Sequence, residues 1–343
     1  MNFSELNDLI SEGLPKIVLD SDVFLDGGEC ITIDTDELII DGAGHTIDAG
    51  GKSRAFTIKG GDVKIKNLTI KNGFGGMCGG AIRNSANLTI YRSRFEDNKV
   101  EVLGGAILST GNLAVYSSVF KHNFSKALGG AIHNRAGSVM LEGCTFDSNR
   151  AISGAAASNL HGVMGIFESR FCKNDAQSGG AIYNRGSGPR HVDRIGWISR
   201  KRARRLRERI RNDGRLEVAG CEFENNAADY GAAIYSNEAN LRLASSIFAK
   251  NECDLKGGAI YSNHSFAIFD CQFTGNFACC GGALYCTRLR ATHITIKMSN
   301  TRLSKNAARQ KGGAVYMDCG YLDSKNSSFE DNSPDDVFEN EED

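Results

Sequence analysis

Five tyrosines recur at one position of a repeated motif in the C-terminal half of the chain. Each follows a recurring aliphatic residue, so in a strand its ring lies on the opposite face from that residue. A row of flat rings on an outer face can stack on sugar rings or anchor a protein partner. The alternative is a tyrosine ladder that stabilises strand pairing. These candidate ligand-binding residues are Tyr183, Tyr235, Tyr261, Tyr285 and Tyr316.

A basic insertion interrupts one repeat between Gly188 and Gly214. It carries ten lysines and arginines against three acidic residues, a net charge of +7 in a chain whose total is −1. A partial apolar stripe at helical spacing predicts a basic amphipathic helix, and its members are Ile195, Ile198, Leu206 and Ile210. Such a helix binds nucleic acid, an anionic membrane or an acidic partner, docks on the negative flank of its own fold, or stays solvated. The candidate anion-binding residues are Arg200, Lys201, Arg202, Arg204, Arg205, Arg207, Arg209 and Arg211.

Residues arranged for catalysis are sparse in this sequence. Polysaccharide lyases and hydrolases need carboxylates clustered on adjacent strands, or an acidic calcium site beside a basic proton acceptor. The acidic pairs Asp34/Asp36 and Asp335/Asp336 lie near the ends of the chain, and the seven histidines are scattered. We therefore expect no catalytic residue and no cofactor, and a carbohydrate-active enzyme is the alternative.

The 11 cysteines do not follow the usual zinc-binding spacings. Cys144, Cys221 and Cys271 stand at a position that otherwise carries serine or threonine, so we expect them to be small buried side chains. Four other cysteines fall within two adjacent repeats, where a metal-binding or disulfide role is the alternative to free thiols. They are Cys253, Cys279, Cys280 and Cys286.

A repeat of about 25 residues positions all of these candidates. Its two halves are Gly-Gly-Ala-Ile and Phe-x-x-Asn, and they recur nine times between residues 74 and 333 with few replacements. Apolar residues seven and five positions before the Phe alternate as in a strand, and the Ile belongs to another strand. Such repeats stack as a solenoid, in which each coil buries the core of its neighbours.

In a stacked solenoid, equivalent residues of successive coils lie above one another. The Asn of Phe-x-x-Asn then forms a column whose amides hydrogen-bond along the stack, as in cross-β ladders. That column contains Asn98, Asn123, Asn149, Asn174, Asn226, Asn251, Asn276, Asn306 and Asn332. The asparagines are therefore predicted to be scaffold.

The two ends of the chain differ from the repeats. Residues 1–15 predict a short helix with Ser4 as N-cap and Gly13 as its end, and this helix would cover the first coil. Residues 334–343 read as an acidic, solvated tail. No stretch is long enough to span a membrane. Residues 1–25 lack the regions of a signal peptide, so a cytoplasmic location stays open.

The paired motif resembles the repeat of the polymorphic membrane protein family, a group of surface adhesins. The segment from Ile40 to Asp48 is similar to the first coils of archaeal adhesin-like proteins with a pectin-lyase-type fold. Over about residues 16–333 the resemblance implies an all-β fold, a single-stranded right-handed parallel β-helix of about 11–12 coils. The resemblance also implies a role at a cell surface or after secretion. Together with the tyrosine column and the sparse acidic residues, it favours a non-catalytic binding or structural module with a glycan or a protein as partner.

Overall fold

The computed structural model describes residues 2–25, 30–185, 214–287 and 294–340. These residues form a solenoid of about 11 turns of parallel strands, preceded by the helix Phe3–Ser11. The predicted parallel β-helix is therefore confirmed. Nearly all of the basic insertion lies outside the described residues, so its helix and its eight candidate anion-binding residues stay predictions.

One sheet, here called sheet A, is built from the phenylalanine strands. The Phe of each coil pairs in register with the Phe of the next, as Phe120 does with Phe95 and Phe146. The rings from Phe95 to Phe273 are fully buried and stack with centroids 4.6–4.9 Å apart. The strands of sheet A are Val23–Phe24, Thr46–Asp48, Thr69–Lys71, Arg94–Glu96, Val119–Lys121, Thr145–Asp147, Arg170–Cys172, Glu222–Glu224, Ile247–Ala249, Gln272–Thr274, Arg302–Ser304 and Ser328–Glu330.

A second sheet, sheet B, has two legs that meet at a corner. Two long N-terminal strands, Ile31–Asp41 and Phe56–Lys66, run through both legs. The first leg also contains Ile82–Asn84, Ile107–Ser109, Ile132–Arg135, Ala157–Leu160, Ile182–Arg185, Ile234–Asn237, Ile260–Ser262, Leu284–Thr287, Val315–Asp318 and Val337–Asn340. The second leg also contains Lys16–Val18, Asn87–Tyr91, Asn112–Tyr116, Ser138–Glu142, Val163–Phe167, Arg215–Ala219, Leu241–Ala244, Phe266–Phe269, Ile294–Ser299 and Gly320–Lys325.

A connector leads from the Asn at the end of each sheet A strand to the Gly-Gly pair before the first leg of sheet B. Some connectors contain short strands of their own. One pair is Lys99–Val100 with Phe124–Ser125. A four-stranded sheet contains Ala227–Tyr230, Glu252–Lys256, Phe277–Cys280 and Ala307–Lys311. The connectors thus form the third side of the solenoid.

Two turn positions of each repeat have left-handed backbones. The first Gly of the Gly-Gly pair has φ between +55° and +74° in all nine repeats. A Cβ atom at Gly104 would lie 2.2 Å from the carbonyl oxygen of Ile107, so only glycine fits. The residue before each ladder Asn also has positive φ, +55° at Asp97 and +54° at Lys173. The exposed side chain at this position takes no part in the core, which explains its mixed chemistry.

The predicted asparagine column is a continuous hydrogen-bonded ladder. Each Nδ2 donates to the Oδ1 of the Asn in the next coil at 2.9–3.1 Å. The same Nδ2 donates to a backbone carbonyl of the preceding coil, as from Asn123 to Phe95. Each Oδ1 also accepts a backbone N–H, as from Asn98 to Asn123. At the C-terminal end, Asn332 donates to Asp336 at 2.9 Å, so the last amide is satisfied as well.

A second, shorter amide ladder lies at the corner between the two legs of sheet B. Asn134 donates to Asn159, and Asn159 donates to Asn184, each at 2.8 Å and fully buried. Two repeats before Asn134 in the same column, Asn84 donates to the hydroxyl of Ser109 at 3.1 Å. The sequence analysis missed this ladder. Its signal is the Asn or Ser that stands two residues after the recurring aliphatic residue.

The chain ends differ from expectation in two respects. The N-cap is Asn2 rather than Ser4, because the Asn2 side chain accepts the N–H of Glu5 and the Glu5 carboxylate accepts the N–H of Asn2. The expected solvated tail is partly a strand, since Val337–Asn340 pairs with Val315–Asp318. Pairing of this kind satisfies the outer edge of the preceding coil, which would otherwise be unpaired there.

The asparagine ladder predicts a large loss of stability when one amide is removed. Asn226→Ala deprives the N–H and Nδ2 of Asn174 of their shared acceptor and leaves the Phe171 carbonyl without its donor. At about 1–3 kcal/mol for each buried unpaired group, we expect a loss of about 3–6 kcal/mol. Urea-induced unfolding followed by circular dichroism measures it.

The matched control is Asn112→Ala, which removes an amide that donates to Asn87 at 2.8 Å on an exposed strand position. Because water replaces this bond, we expect a loss below about 1 kcal/mol. Equal losses in the two variants would contradict the assigned role of the buried ladder.

Candidate functional site

The five candidate tyrosines lie in one column on the outer face of the first leg of sheet B. They pair in register from Tyr183 to Tyr316. Their rings stack with centroids 4.8–5.6 Å apart and planes within 15° of parallel. Phe338 of the last strand continues the column, with its centroid 5.0 Å from that of Tyr316. The column is therefore a ladder of rings.

This stacking decides which ring surfaces a ligand can reach. The faces of Tyr235, Tyr261 and Tyr285 are each covered by the ring above and the ring below, and only the edges and hydroxyl groups of Tyr235 and Tyr261 remain partly exposed. Tyr285 is 3% exposed. A sugar ring has no free face to stack on at these three positions. Binding through the hydroxyl edges stays a prediction, and stabilisation of strand pairing follows directly from the geometry.

A polar network holds the C-terminal part of the column. Lys256 Nζ donates to the Tyr285 hydroxyl at 2.8 Å, and that hydroxyl donates to Asp318 at 3.2 Å. Burial raises the pKa of Tyr285, so its proton stays in place at neutral pH. Burial alone would raise the pKa of Asp318, but hydrogen bonds from Asn340, Thr287 and Tyr285 bring it below its usual value. The Tyr285 hydroxyl therefore keeps its proton between the lysine and the carboxylate, so the three groups form a structural hydrogen-bond network rather than an acid–base pair.

The N-terminal part of the same column is buried and partly polar. Leu108, His133 and Ser158 stand in register ahead of the tyrosines. His133 Nδ1 lies 2.6 Å from Ser158 Oγ, and both residues are fully buried. His133 Nε2 has no hydrogen-bond partner among the described residues. Burial, with a smaller contribution from Arg135, lowers the pKa of His133 to about 4, so the imidazole is neutral at pH 7. Because both side chains are fully buried, we interpret this pair as part of the scaffold.

The cysteines singled out in the sequence are free thiols. Cys144, Cys221 and Cys271 are buried, as predicted. Of the four clustered cysteines, Cys253 and Cys286 are buried and Cys279 and Cys280 are half-buried. Within the described ranges, no three His, Cys, Asp or Glu side chains are placed to hold a metal ion. Burial raises the pKa of Cys253 to about 12, which keeps its proton on at neutral pH.

The basic insertion leaves the solenoid at a turn that other coils close with few residues. Asn184 donates to the Gly214 carbonyl at 2.9 Å. In the two preceding coils, Asn134 donates to Gly137 at 2.9 Å and Asn159 donates to Gly162 at 2.8 Å. The hydrogen bond that spans this turn is therefore the same on both sides of the insertion, and residues 186–213 stand in the sequence where the other coils have a single turn residue.

The structure adds one feature that the sequence analysis did not identify, a groove among the connectors. The connectors after Asn149, Asn174 and Asn226 have four residues, whereas those after Asn123 and Asn251 have five. Three short connectors between two longer ones leave a recess of about 670 Å³, here called the connector groove. The signal was present in the sequence as a one-residue difference in spacing, which a repeat of about 25 residues conceals.

The connector groove has a small-residue floor and charged ends. Its floor is formed largely by the alanines Ala151, Ala176 and Ala228. Lys126 and Arg150 lie towards its N-terminal end, and four acidic side chains follow towards its C-terminal end. The acidic side chains are Asp175, Asp229, Glu252 and Asp254. The groove therefore offers a polar recess whose charge changes sign along the solenoid axis.

The buried imidazole predicts that stability falls in mild acid. The folded pKa of about 4 lies below the ordinary 6.5, so the unfolded chain binds the extra proton between these values. The contribution of His133 to the free energy of unfolding is fully present above about pH 6.5. It is lost as the pH falls towards 4, a change of about 3 kcal/mol. In His133→Leu, which copies Leu108 of the preceding coil, this dependence is absent. Urea midpoints measured between pH 7 and pH 4.5 test it, and equal slopes in both proteins would refute it.

Two stretches of the chain match a known repeat. Residues 245–263 and 270–287 match the model of the Chlamydia polymorphic membrane protein repeat. They cover Phe248 with the following Gly257 turn, and Phe273 with the following Gly281 turn. No curated protein matches the chain. No helix in the described part of the chain is long and apolar enough to cross a membrane. The chain thus carries polymorphic membrane protein repeats, which are folded here as successive coils of a parallel β-helix.

Proposed function

We propose that the chain is a surface-associated, adhesin-like binding module that does not catalyse a reaction. The observation that carries this proposal is the match of its coils to a repeat of membrane proteins. The motif residues of that repeat are used by the scaffold, as core rings, turn glycines and ladder amides. We therefore expect the binding residues to be those that differ between coils.

A rigid rod suits this role physically. About 11 coils at about 4.8 Å each give a solenoid about 50 Å long, on which exposed side chains recur in straight rows. Because the ladders and the stacked core are ordered before any ligand arrives, little conformational entropy is lost when a partner binds. The alternative, a carbohydrate-active enzyme, needs a clustered acid–base site, and the experiment below separates the two.

The test is a retention assay combined with a depolymerisation assay. Beads coated with the protein are applied to cell surfaces and glycan arrays, and acidic polysaccharides are incubated with the protein with and without calcium. We expect saturable retention and no change in polysaccharide chain length. Shortened chains would favour the enzyme instead, and retention no greater than that of uncoated beads would remove the proposal.

The tyrosine column is tested in the same assay by Tyr235→Phe and Tyr261→Phe. Phenylalanine keeps the stacked ring, as Phe338 does naturally, and removes only the hydroxyl edge that a ligand can reach. A severalfold loss of retention in a variant of unchanged stability supports ligand binding by the column. Unchanged retention limits the tyrosines to the scaffold.

A second candidate function is anion binding through the basic insertion. The supporting observation is its charge of +7, which leaves −8 on the rest of the chain. The variant replaces residues 186–213 with one glycine, because Ala136 and His161 occupy this turn position with φ of +70° and +63°. We expect retention on heparin or DNA to fall to the level of the bare scaffold. Unchanged elution salt would exclude the insertion as an anion-binding site.

A further inference from the structure

Exposed apolar side chains begin on the N-terminal side of the connector groove and extend to Ile152 in its lining. Met77 is 65% exposed, Ile152 is 48% exposed and Phe74 is 37% exposed. Backbone hydrogen bonds place these connectors in register, since Val102 donates to Met77 and Ile152 donates to Ala127, each at 3.1 Å. The side chains Phe74, Met77, Val102 and Ile152 are here called the apolar strip. Contiguous exposed apolar side chains of this kind mark interaction surfaces.

Charge compensation differs between the two ends of the connector groove. At the N-terminal end, Lys126 pairs with Glu101, and Arg150 lies 3.4 Å from Asp175. Further along, Asp229, Glu252 and Asp254 form no ion pair with any described residue. The surface therefore runs from apolar side chains, through charges that form ion pairs, to three carboxylates that no described residue pairs with. A single ligand that covers both ends therefore needs an apolar part and a cationic part.

We propose that the apolar strip and the connector groove together bind an extended segment of a protein partner. In that segment, apolar residues lie on the strip, and lysines or arginines lie against Asp229, Glu252 and Asp254. This inference rests on the proposed binding function and names the class of partner and the surface. Burial of Met77 and Ile152 supplies affinity, and the carboxylates select the basic end.

The length of the surface sets the length of the segment. Six coil steps separate the connector of Met77 from that of Asp254, which is about 29 Å at about 4.8 Å per step. An extended chain covers this distance with about nine residues at about 3.3 Å each. The alanine floor keeps the recess open where the segment passes from the strip to the carboxylates.

The same chemistry excludes other macromolecules. Nucleic acids, acidic glycans and anionic lipid surfaces are negatively charged, as are Asp229, Glu252 and Asp254. Like charges in contact repel each other. A neutral glycan binds on free aromatic faces, and it gains no electrostatic attraction from the three carboxylates. A peptide provides both apolar side chains and cations, and its backbone lies extended at low cost.

The test uses fluorescein-labelled nine-residue peptides and the whole chain. One peptide has three alternating apolar residues followed by two lysines, a second has the reverse order, and a third has glutamates in place of the lysines. We expect saturable fluorescence anisotropy with one of the two basic peptides. The glutamate peptide should bind at least tenfold more weakly, and raising the salt concentration should weaken the basic peptide further.

Two groove variants and two matched controls locate the binding. Asp229→Asn with Glu252→Gln and Asp254→Asn removes the acidic end, and Met77→Ser with Ile152→Ser removes the exposed apolar contacts. Each of these two variants should weaken the binding of the basic peptide at least tenfold. The controls make the same chemical changes away from the groove. They are Glu12→Gln with Asp20→Asn and Asp36→Asn, and Val18→Ser with Ile247→Ser.

Two outcomes would overturn the proposal. One is the absence of saturable binding by either basic peptide, and the other is equal weakening by the groove variants and their controls. Because all of the substituted side chains are at least partly exposed, thermal unfolding should be unchanged, and this is measured alongside. If beads coated with the groove variants are still retained on cells, the adhesin-like function stands while the groove assignment fails.

Discussion

The buried asparagine ladder is the interaction on which the rest of this structure depends. A fully buried side-chain amide must satisfy two donors and an acceptor, and each unmet group costs about 1–3 kcal/mol. Here each amide finds its partners only in the coils directly above and below it, at 2.9–3.1 Å. A shift of one residue between coils would leave the amides unpaired, so the ladder sets the register of the whole solenoid.

This register determines which side chains lie next to one another on the surface of the solenoid. Equivalent positions must lie above one another at about 4.8 Å, so tyrosines at one position become a ladder of rings, and His133 meets Ser158 at 2.6 Å. Variation is confined to segments that can change length without moving the ladders. The connectors and the corner occupied by residues 186–213 are such segments. The connector groove and the basic insertion both arise there.

This separation of roles explains physically how polymorphic membrane protein repeats form a scaffold. The motif residues form a stacked core, and the charged residues for which we propose binding lie on the variable segments. The insertion carries a net charge of +7 and the remainder of the chain −8, so the two proposed binding regions would favour partners of opposite charge. The apolar strip and the acidic end lie at opposite ends of the surface for which we propose binding of a basic peptide rather than an acidic polymer.

The sequence by itself determined the repeat, the parallel coils, the phenylalanine core and the asparagine ladder. It could do so because equivalent residues stack in a solenoid, and a column in the alignment is therefore a column in space. Tertiary structure alone decided that the tyrosine faces cover each other, that His133 on an outer column is buried, and that Val337–Asn340 pairs as a strand. It also decided that one missing residue in each of three connectors opens a groove. These features depend on contacts between residues 22 or more positions apart and on the local path of the chain, which periodicity does not encode.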